Sequence, residues 1–270
     1  MRFNATLLSA LLLSAHSIAL AKSPAAASGA AAAAAATQGS TASPSGIDAA
    51  IENFLMNNPE VIEKALIRLQ EKRDQEAKEK AQKAIVEHMQ DLYNDPQTPF
   101  MGNPKGKKAL VLFADPNCSH CRSFHKILET AVQKDPEIKV IFKDIAILGP
   151  GSALAVHLAL AAHAQGKYNA FQAEMMKRPM AKSMEDLQKI ADAAGVDVNR
   201  AKADMDSEAI KKTFNDNWEL AAKLGIEATP SFVVGQELYN GGMGLEDLMQ
   251  LFAAPAQPTT QSEAKSPAKS

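Results

Sequence analysis

The chain has 270 residues, of which 46% are hydrophobic and 22% are charged, and its formal net charge is −2. This length and apolar content are enough for one domain with a full core and for additional segments. The near-neutral charge gives no sign of a surface for nucleic acid or for an anionic membrane. The chain has two cysteines, so it lacks the several disulfides that stabilise many small secreted domains.

The first 46 residues form two segments of simple composition. Arg2, an apolar run and an Ala-x-Ala sequence that ends at Ala21 are typical of a secretory signal peptide over residues 1–21. The apolar run is too short to indicate a retained transmembrane helix. Residues 22–46 are almost entirely Ala, Ser, Thr, Gly and Pro, which predicts a flexible tether. We therefore expect an exported protein.

Residues 47–94 are predicted to form a helical arm and a charged spacer. Large apolar side chains recur at helical spacing over residues 47–69, and such a stripe has to be buried against another surface. Residues 70–83 are polar and carry acidic residues four positions before lysines, an order that stabilises a solvated helix. We interpret 47–69 as a surface for self-association. For residues 70–83, periodicity alone also fits the solvated face of an ordinary helix.

The next part of the chain has the pattern of a strand–helix–strand unit. Residues 109–114 are apolar without alternation, as expected for a central strand that is covered on both faces. A helix is predicted from residue 119 to about 134, and a second strand over residues 138–147. Because the connection between these strands contains a helix, the two strands are predicted to be parallel.

The remaining elements complete an α/β domain over residues 95–253. Residues 149–224 are predicted to be a helical insert, and a short hairpin with its turn at Gly235 follows, then a last helix. The Pro-, Ala-, Ser- and Lys-rich tail, residues 254–270, is predicted to be disordered.

The Cys-x-x-Cys motif is the chemical centre of the sequence. Cys118 lies at the predicted start of a helix, where free backbone N–H groups and the positive end of the helix dipole favour a thiolate over a thiol. Cys121, one helical turn later, is in reach to form a disulfide with it. In an exported chain with a single pair of cysteines, this context favours a thiol–disulfide redox centre over a structural disulfide.

The segment FADPNCSHC, residues 113–121, resembles the active site of the bacterial periplasmic Dsb proteins. The F-x-D-x-x-C-x-x-C pattern is most similar to the isomerases DsbC and DsbG, whereas His120 matches the dipeptide of the oxidase DsbA. The insert resembles that of DsbA, and with the N-terminal arm the whole pattern resembles the suppressor-of-copper-sensitivity protein C family. The resemblance implies a periplasmic thioredoxin-fold protein with an inserted helical domain, preceded by a helical oligomerisation arm.

The resemblance also implies roles for five residues and no cofactor. Cys118 would be the nucleophile that forms the mixed disulfide, and Cys121 would resolve it. His120, beside both sulfurs, would stabilise the thiolate when protonated, unless it is simply an exposed residue at the helix start. Pro230 matches the cis-proline that faces the disulfide in this fold, and Thr229 before it resembles the isomerases. As an alternative, Thr-Pro is only a turn that enters a strand.

One position departs from the family pattern. Many thioredoxin-fold enzymes carry a buried carboxylate six residues before the first cysteine, where it manages the proton of the resolving thiol. Here that residue is Leu112. Asp115 is the nearest acid and is a candidate for this proton handling, but a turn-forming role explains it equally well. The sequence therefore leaves the proton acceptor of the resolving cysteine open.

We predict a disulfide isomerase that acts on unfolded or wrongly disulfide-bonded exported proteins. Thr229 and the self-association arm favour an isomerase, whereas His120 favours a DsbA-like dithiol oxidase. An isomerase would need a DsbD-like membrane reductant, and an oxidase a DsbB-like oxidant. A second alternative is a copper-binding protein that holds Cu(I) with Cys118, Cys121 and His125, although a closed site would need further ligands.

Overall fold

The computed structural model describes residues 46–181 and 183–253. The predicted signal peptide, all but the last residue of the predicted tether and the predicted tail lie outside the described residues. The chain divides into two units between Asn57 and Asn58. In the first unit, the described part is helix α1 (Gly46–Asn57).

The second unit combines a mixed sheet with helices. Its described helices are α2 (Glu60–Glu87), α3 (Met89–Tyr93), α4 (Ser119–Lys134), α5 (Pro150–Ala164), α6 (Tyr168–Met176), α7 (Met184–Ala193), α8 (Val198–Met205), α9 (Glu208–Lys223) and α10 (Leu245–Ala253). Its described strands are β1 (Phe100–Gly102), β2 (Lys108–Ala114), β3 (Ile138–Asp144), β4 (Ser231–Val234) and β5 (Glu237–Asn240). Within the described chain, no helix combines the length and apolar character needed to cross a membrane.

The sheet has the strand order β1-β3-β2-β4-β5. The central strands β2 and β3 are parallel, as predicted from the helix between them, with Leu112 opposite Phe142 and Ala114 opposite Asp144. Strands β1, β4 and β5 add to this pair in antiparallel orientation. The prediction placed the end of β3 at residue 147, but the strand ends at Asp144 because its partner β2 ends at Ala114.

Side chains on the two faces of the sheet enter two separate cores, since neighbours along a strand point to opposite faces. Leu110 and Leu112 of β2 belong to the core that contains α4, α10 and most of the insert. Val111 and Phe113 belong to a second core with the end of α2, α3 and α9. The helices α5 to α9 lie between β3 and β4 in the chain, which confirms the predicted insert. This is the architecture that the resemblance implies.

Helix α2 joins the second part of the predicted apolar stripe, residues 60–69, to the predicted spacer in one helix of 28 residues. Only Ala81 and Ile85, near its end, are buried. Near this end, Lys78 forms an ion pair of 3.2 Å with Glu237 of β5. Before residue 81, α2 extends with its apolar side chains exposed. We call the exposed large apolar side chains at its start the arm surface; they are Val61, Ile62, Leu66, Ile67 and Leu69.

Candidate active site

Cys118 is the N-cap residue of α4, as the sequence predicted. Its backbone is extended (φ −73°, ψ 125°), and the helix begins at the next residue. The N–H of Cys118 donates to the carbonyl oxygen of Asp115 at 2.9 Å, which closes the turn between β2 and α4. Cys118 is 7% exposed, and its sulfur lies at the positive end of the α4 dipole, a position that stabilises a thiolate.

Cys121 lies one turn further into α4 and is only 2% exposed. Burial raises the pKa of its thiol well above the ordinary value, and Cys118 adds to this effect, while the backbone of Asp115 and the side chain of Thr229 oppose it. Both cysteines are free thiols in this structure. Cys121 is therefore held as a thiol, and it has to lose a proton before it can attack as a thiolate.

The segment before β4 lies against the start of α4. Because β4 runs antiparallel to β2, with Ser231 opposite Phe113, the residues that precede β4 meet the turn that follows β2. The Thr229–Pro230 peptide bond is cis, as the resemblance implied. The thiol of Cys118 donates to the carbonyl oxygen of Thr229 at an Sγ–O distance of 3.4 Å. The sulfur thus faces the half-buried backbone of Thr229, next to which a substrate strand could pair.

Asp115 and Asn117 organise the turn that carries Cys118. The carboxylate of Asp115 is fully buried and accepts hydrogen bonds from the N–H of Asn117 at 2.8 Å and of Leu148 at 3.0 Å. This is the geometry of a turn-forming residue, and the proton-handling role of Asp115 stays a prediction.

The side chain of Asn117 fastens this turn to the helical insert. Its amide donates to the carbonyl oxygen of Ala181 at 2.9 Å, and its Oδ1 accepts from the N–H of Ala181 at 3.0 Å. The sequence analysis missed this residue, because its partner lies 64 positions away in the chain. An Asn directly before Cys118 is the only signal that could have drawn attention to it.

The two histidines of α4 have opposite environments. His120 is exposed next to Cys121, and its effect on the sulfurs stays a prediction. His125 is 4% exposed, with its Nε2 3.6 Å from Glu129 Oε1 and its ring centroid 5.7 Å from that of Phe142. Burial lowers the pKa of His125, and Glu129 opposes this shift.

The copper ligand set also stays a prediction. Within residues 46–181 and 183–253, no group of three or more His, Cys, Asp or Glu side chains has an arrangement that could hold a metal ion.

A buried acid that the sequence analysis did not consider lies at the end of β3. Asp144 is 2% exposed, and its Oδ2 accepts hydrogen bonds from the Tyr168 hydroxyl at 2.6 Å and from Gln172 Nε2 at 3.2 Å. Burial raises the pKa of Asp144 to about 7; the charge of Asp115 adds to the shift, while the hydrogen bonds of Tyr168 and Gln172 oppose it. An Asp that ends a parallel strand was the available signal, since side chains at such ends often line active sites.

Comparisons with known proteins agree with this fold and site. The family model described as Thioredoxin matches residues 93–253, more than half of the chain. A thioredoxin-like oxidoreductase from Silicibacter pomeroyi DSS-3 is 35% identical, with a TM-score of 0.58, over 60% of this chain and 93% of that one. The thiol-disulfide exchange protein alpha-DsbA2 from Wolbachia pipientis is 25% identical, with a TM-score of 0.60, over 64% of this chain and 94% of that one. No curated protein matches the chain.

The similarity to Proteus mirabilis ScsC reaches beyond the thioredoxin domain. ScsC in a transitional conformation is 27% identical, with a TM-score of 0.59, over 77% of this chain and 94% of that one. The catalytic domain of ScsC alone covers only 64% of this chain. The match therefore continues into the helical segment that precedes residue 93.

The fold, the Cys-x-x-Cys helix and the cis-proline define a thioredoxin-fold thiol–disulfide exchange protein. The chain belongs to the thioredoxin family, and ScsC and DsbA-like proteins are its structural neighbours.

Proposed function

We propose that the protein is a periplasmic disulfide isomerase of exported proteins. The thiolate of Cys118 attacks one sulfur of a wrong substrate disulfide, so that a mixed disulfide forms and the other substrate sulfur leaves as a thiolate. A different substrate thiolate then attacks the mixed disulfide, forms the correct bond and releases Cys118 as a thiolate. When no substrate thiolate attacks the mixed disulfide, Cys121 displaces the substrate and forms a disulfide with Cys118. A DsbD-like membrane reductant then restores the dithiol.

The observation that carries this proposal is the arm surface. Its five side chains are 36–60% exposed, and Ile62, Leu66 and Leu69 follow the i, i+4, i+7 spacing of one helix face. An apolar stripe of this kind is stabilised when it is covered. The same spacing recurs in α1, where Ile47, Ile51 and Phe54 are 71%, 52% and 55% exposed.

The partner that we propose for this surface is a second copy of the chain. The similarity to ScsC over more than its catalytic domain supports a role for this segment in the same class of protein. Self-association through residues 47–69 would gather several Cys118 thiolates around one misfolded substrate, which raises their effective concentration at its disulfides. Thr229 before the cis-proline also supports isomerisation, and the signal-peptide pattern of residues 1–21 supports export.

The test uses scrambled, fully disulfide-bonded ribonuclease without added oxidant. The reduced full-length protein should restore ribonuclease activity. Absence of recovery, together with fast oxidation of reduced ribonuclease by the oxidised protein, would establish the DsbA-like oxidase instead.

A deletion of residues 47–69 tests the contribution of the arm. We expect a monomer in light scattering, with lower isomerase activity and unchanged reaction of Cys118 with small disulfides. If the deletion variant keeps the mass per particle of the parent, the arm is not the oligomerising segment.

A further inference from the structure

The acid missing from β2 has a counterpart on the neighbouring strand. Leu112, which occupies the usual acid position, is 1% exposed and belongs to the same core as Cys121. In the register of the sheet, Leu112 lies opposite Phe142, and Asp144 lies two residues further along β3. Because side chains alternate along a strand, Asp144 is on the same face as Phe142 and therefore on the face that α4 covers.

The hydrogen bonds of Asp144 leave one carboxyl oxygen available. Its Oδ2 is held by the insert through Tyr168 and Gln172. Its Oδ1 is buried and has no hydrogen-bond partner in the described part of the chain. None of the ion pairs of the described residues involves Asp144, so no cation compensates a buried charge there. A carboxylate without such compensation is a ready proton acceptor.

Asp144 and the resolving cysteine line the same small cavity. Its space is about 10 Å³, at the lower limit for one water molecule. The other polar residues that line it are Asp115, His125 and Gln172. Both carboxylate oxygens of Asp115 already accept backbone N–H bonds, and burial favours neutral His125. Within the described chain, Asp144 and Gln172 each have a buried oxygen without a hydrogen-bond partner, and of these two the Asp144 carboxylate is the base, since an amide oxygen takes up no proton near neutral pH.

We propose that Asp144 is the proton acceptor of Cys121, in place of the acid that Leu112 replaces. During resolution, the Cys121 thiol gives its proton to Asp144 across the shared cavity, and its sulfur forms a bond with Cys118 Sγ. The bond between Cys118 and the substrate sulfur breaks, and the substrate leaves as a thiolate with the electron pair. When a dithiol reductant opens the Cys118–Cys121 disulfide, the proton returns from Asp144 to the Cys121 sulfur.

The electrostatics agree with this role. Since burial raises the pKa of Asp144 to about 7, the carboxyl can both accept and return a proton near neutral pH. Burial raises the pKa of Tyr168 well above its ordinary value, so its hydroxyl stays a donor to Asp144.

The experiment follows both cysteines in the reduced full-length protein mixed with one equivalent of 5,5′-dithiobis(2-nitrobenzoate). Attack by Cys118 releases the first thionitrobenzoate, and resolution by Cys121 releases the second. Asp144→Asn should slow the second phase about 100-fold at pH 7 and leave the first within about twofold, since general-base catalysis contributes factors of this size. An intact first phase shows that thiol exchange works, whether or not the protein proves to be an isomerase.

A second variant tests the role through pH rather than rate alone. Tyr168→Phe removes a hydrogen bond that favours the charged carboxyl, so it should move the pH midpoint of the second phase upward. A purely structural role of Asp144 would not move this midpoint. The proposal is wrong if the second phase of Asp144→Asn runs within about threefold of the rate of the parent. It is also wrong if Asp115→Asn slows the second phase and Asp144→Asn does not.

Urea unfolding measured at several pH values shows whether Asp144→Asn folds. It also reports the proton affinity of the Asp144 carboxyl independently of the exchange rates. In the unfolded chain an Asp loses its proton near pH 4 (about 3.9), whereas Asp144 keeps its proton up to about 7 in the folded chain. The folded state then binds more protons between these values, so the stability of the parent falls as pH rises through this window. We expect Asp144→Asn to unfold at higher urea concentration than the parent at pH 8 and to lose this advantage at pH 4. A stability difference that does not change with pH would contradict the raised proton affinity.

Discussion

Helices α4 and α2 both carry apolar side chains at helical spacing, but they differ in how much of that apolar face is buried. Helix α4 buries its face against the sheet; its buried residues are Cys121, Phe124, His125, Leu128 and Ala131. Helix α2 leaves the arm surface exposed and buries only Ala81 and Ile85. The apolar face of α4 is therefore covered within the chain, whereas the described part of the chain leaves the arm surface uncovered, and we propose that a second copy covers it. Amphipathic periodicity indicates that a face is to be covered, but it does not indicate by what.

The largest effect should come from removing the sulfur at the start of α4. Cys118→Ser should abolish disulfide reduction and isomerisation, because a serine hydroxyl does not act as the exchanging nucleophile. Cys121→Ser should keep the attack and accumulate a mixed disulfide with the substrate. Non-reducing electrophoresis distinguishes the two variants, and far-UV circular dichroism checks that both fold. Turnover by the Cys118→Ser protein would show that Cys118 is not the attacking sulfur.

An intermediate effect should come from placing a charge in the arm surface. Leu66→Glu puts a carboxylate where burial of a leucine contributes about 1.5–3 kcal/mol, so association should weaken and isomerase activity should fall about tenfold or more. Gln70→Glu is the matched control, since it adds the same charge one turn later on the exposed helix. Light scattering measures the particle mass, and the reaction with a small disulfide should be unchanged in both. If Leu66→Glu and Gln70→Glu associate equally, the arm surface does not drive association, and the contrast between α2 and α4 fails.

The smallest effect should come from the exposed edge of α4. His120→Gln removes a side chain that can carry a positive charge next to the sulfurs. Exposed charges near a helix N-terminus contribute about 0.3–1 kcal/mol, so the equilibrium of the Cys118–Cys121 pair with glutathione should move by no more than about fivefold. The direction should be toward a less oxidising pair, because the Cys118 thiolate loses stabilisation. A shift in the opposite direction would contradict the role assigned to His120.

The sequence was sufficient for features that depend on neighbouring residues. The start of α4 at Cys118, the apolar strand β2 and the turn at Gly235 follow from local rules of capping, hydrophobic periodicity and turn chemistry. The parallel pairing of β2 and β3 also followed, since a helical crossover permits little else. The missing acid at Leu112 was visible as well.

The tertiary structure decided which distant groups meet at this motif. Asn117 is fastened to Ala181, and Asp144 lies on the cavity of Cys121 with its carboxyl held by Tyr168. These contacts depend on strand register and on how the insert folds back over the sheet, and both are set by the packing of the whole core. Local propensity carries no information about such long-range pairs. The sequence by itself thus determined the fold and the Cys-x-x-Cys motif at the start of α4, while only the tertiary structure showed which buried acid shares a cavity with Cys121.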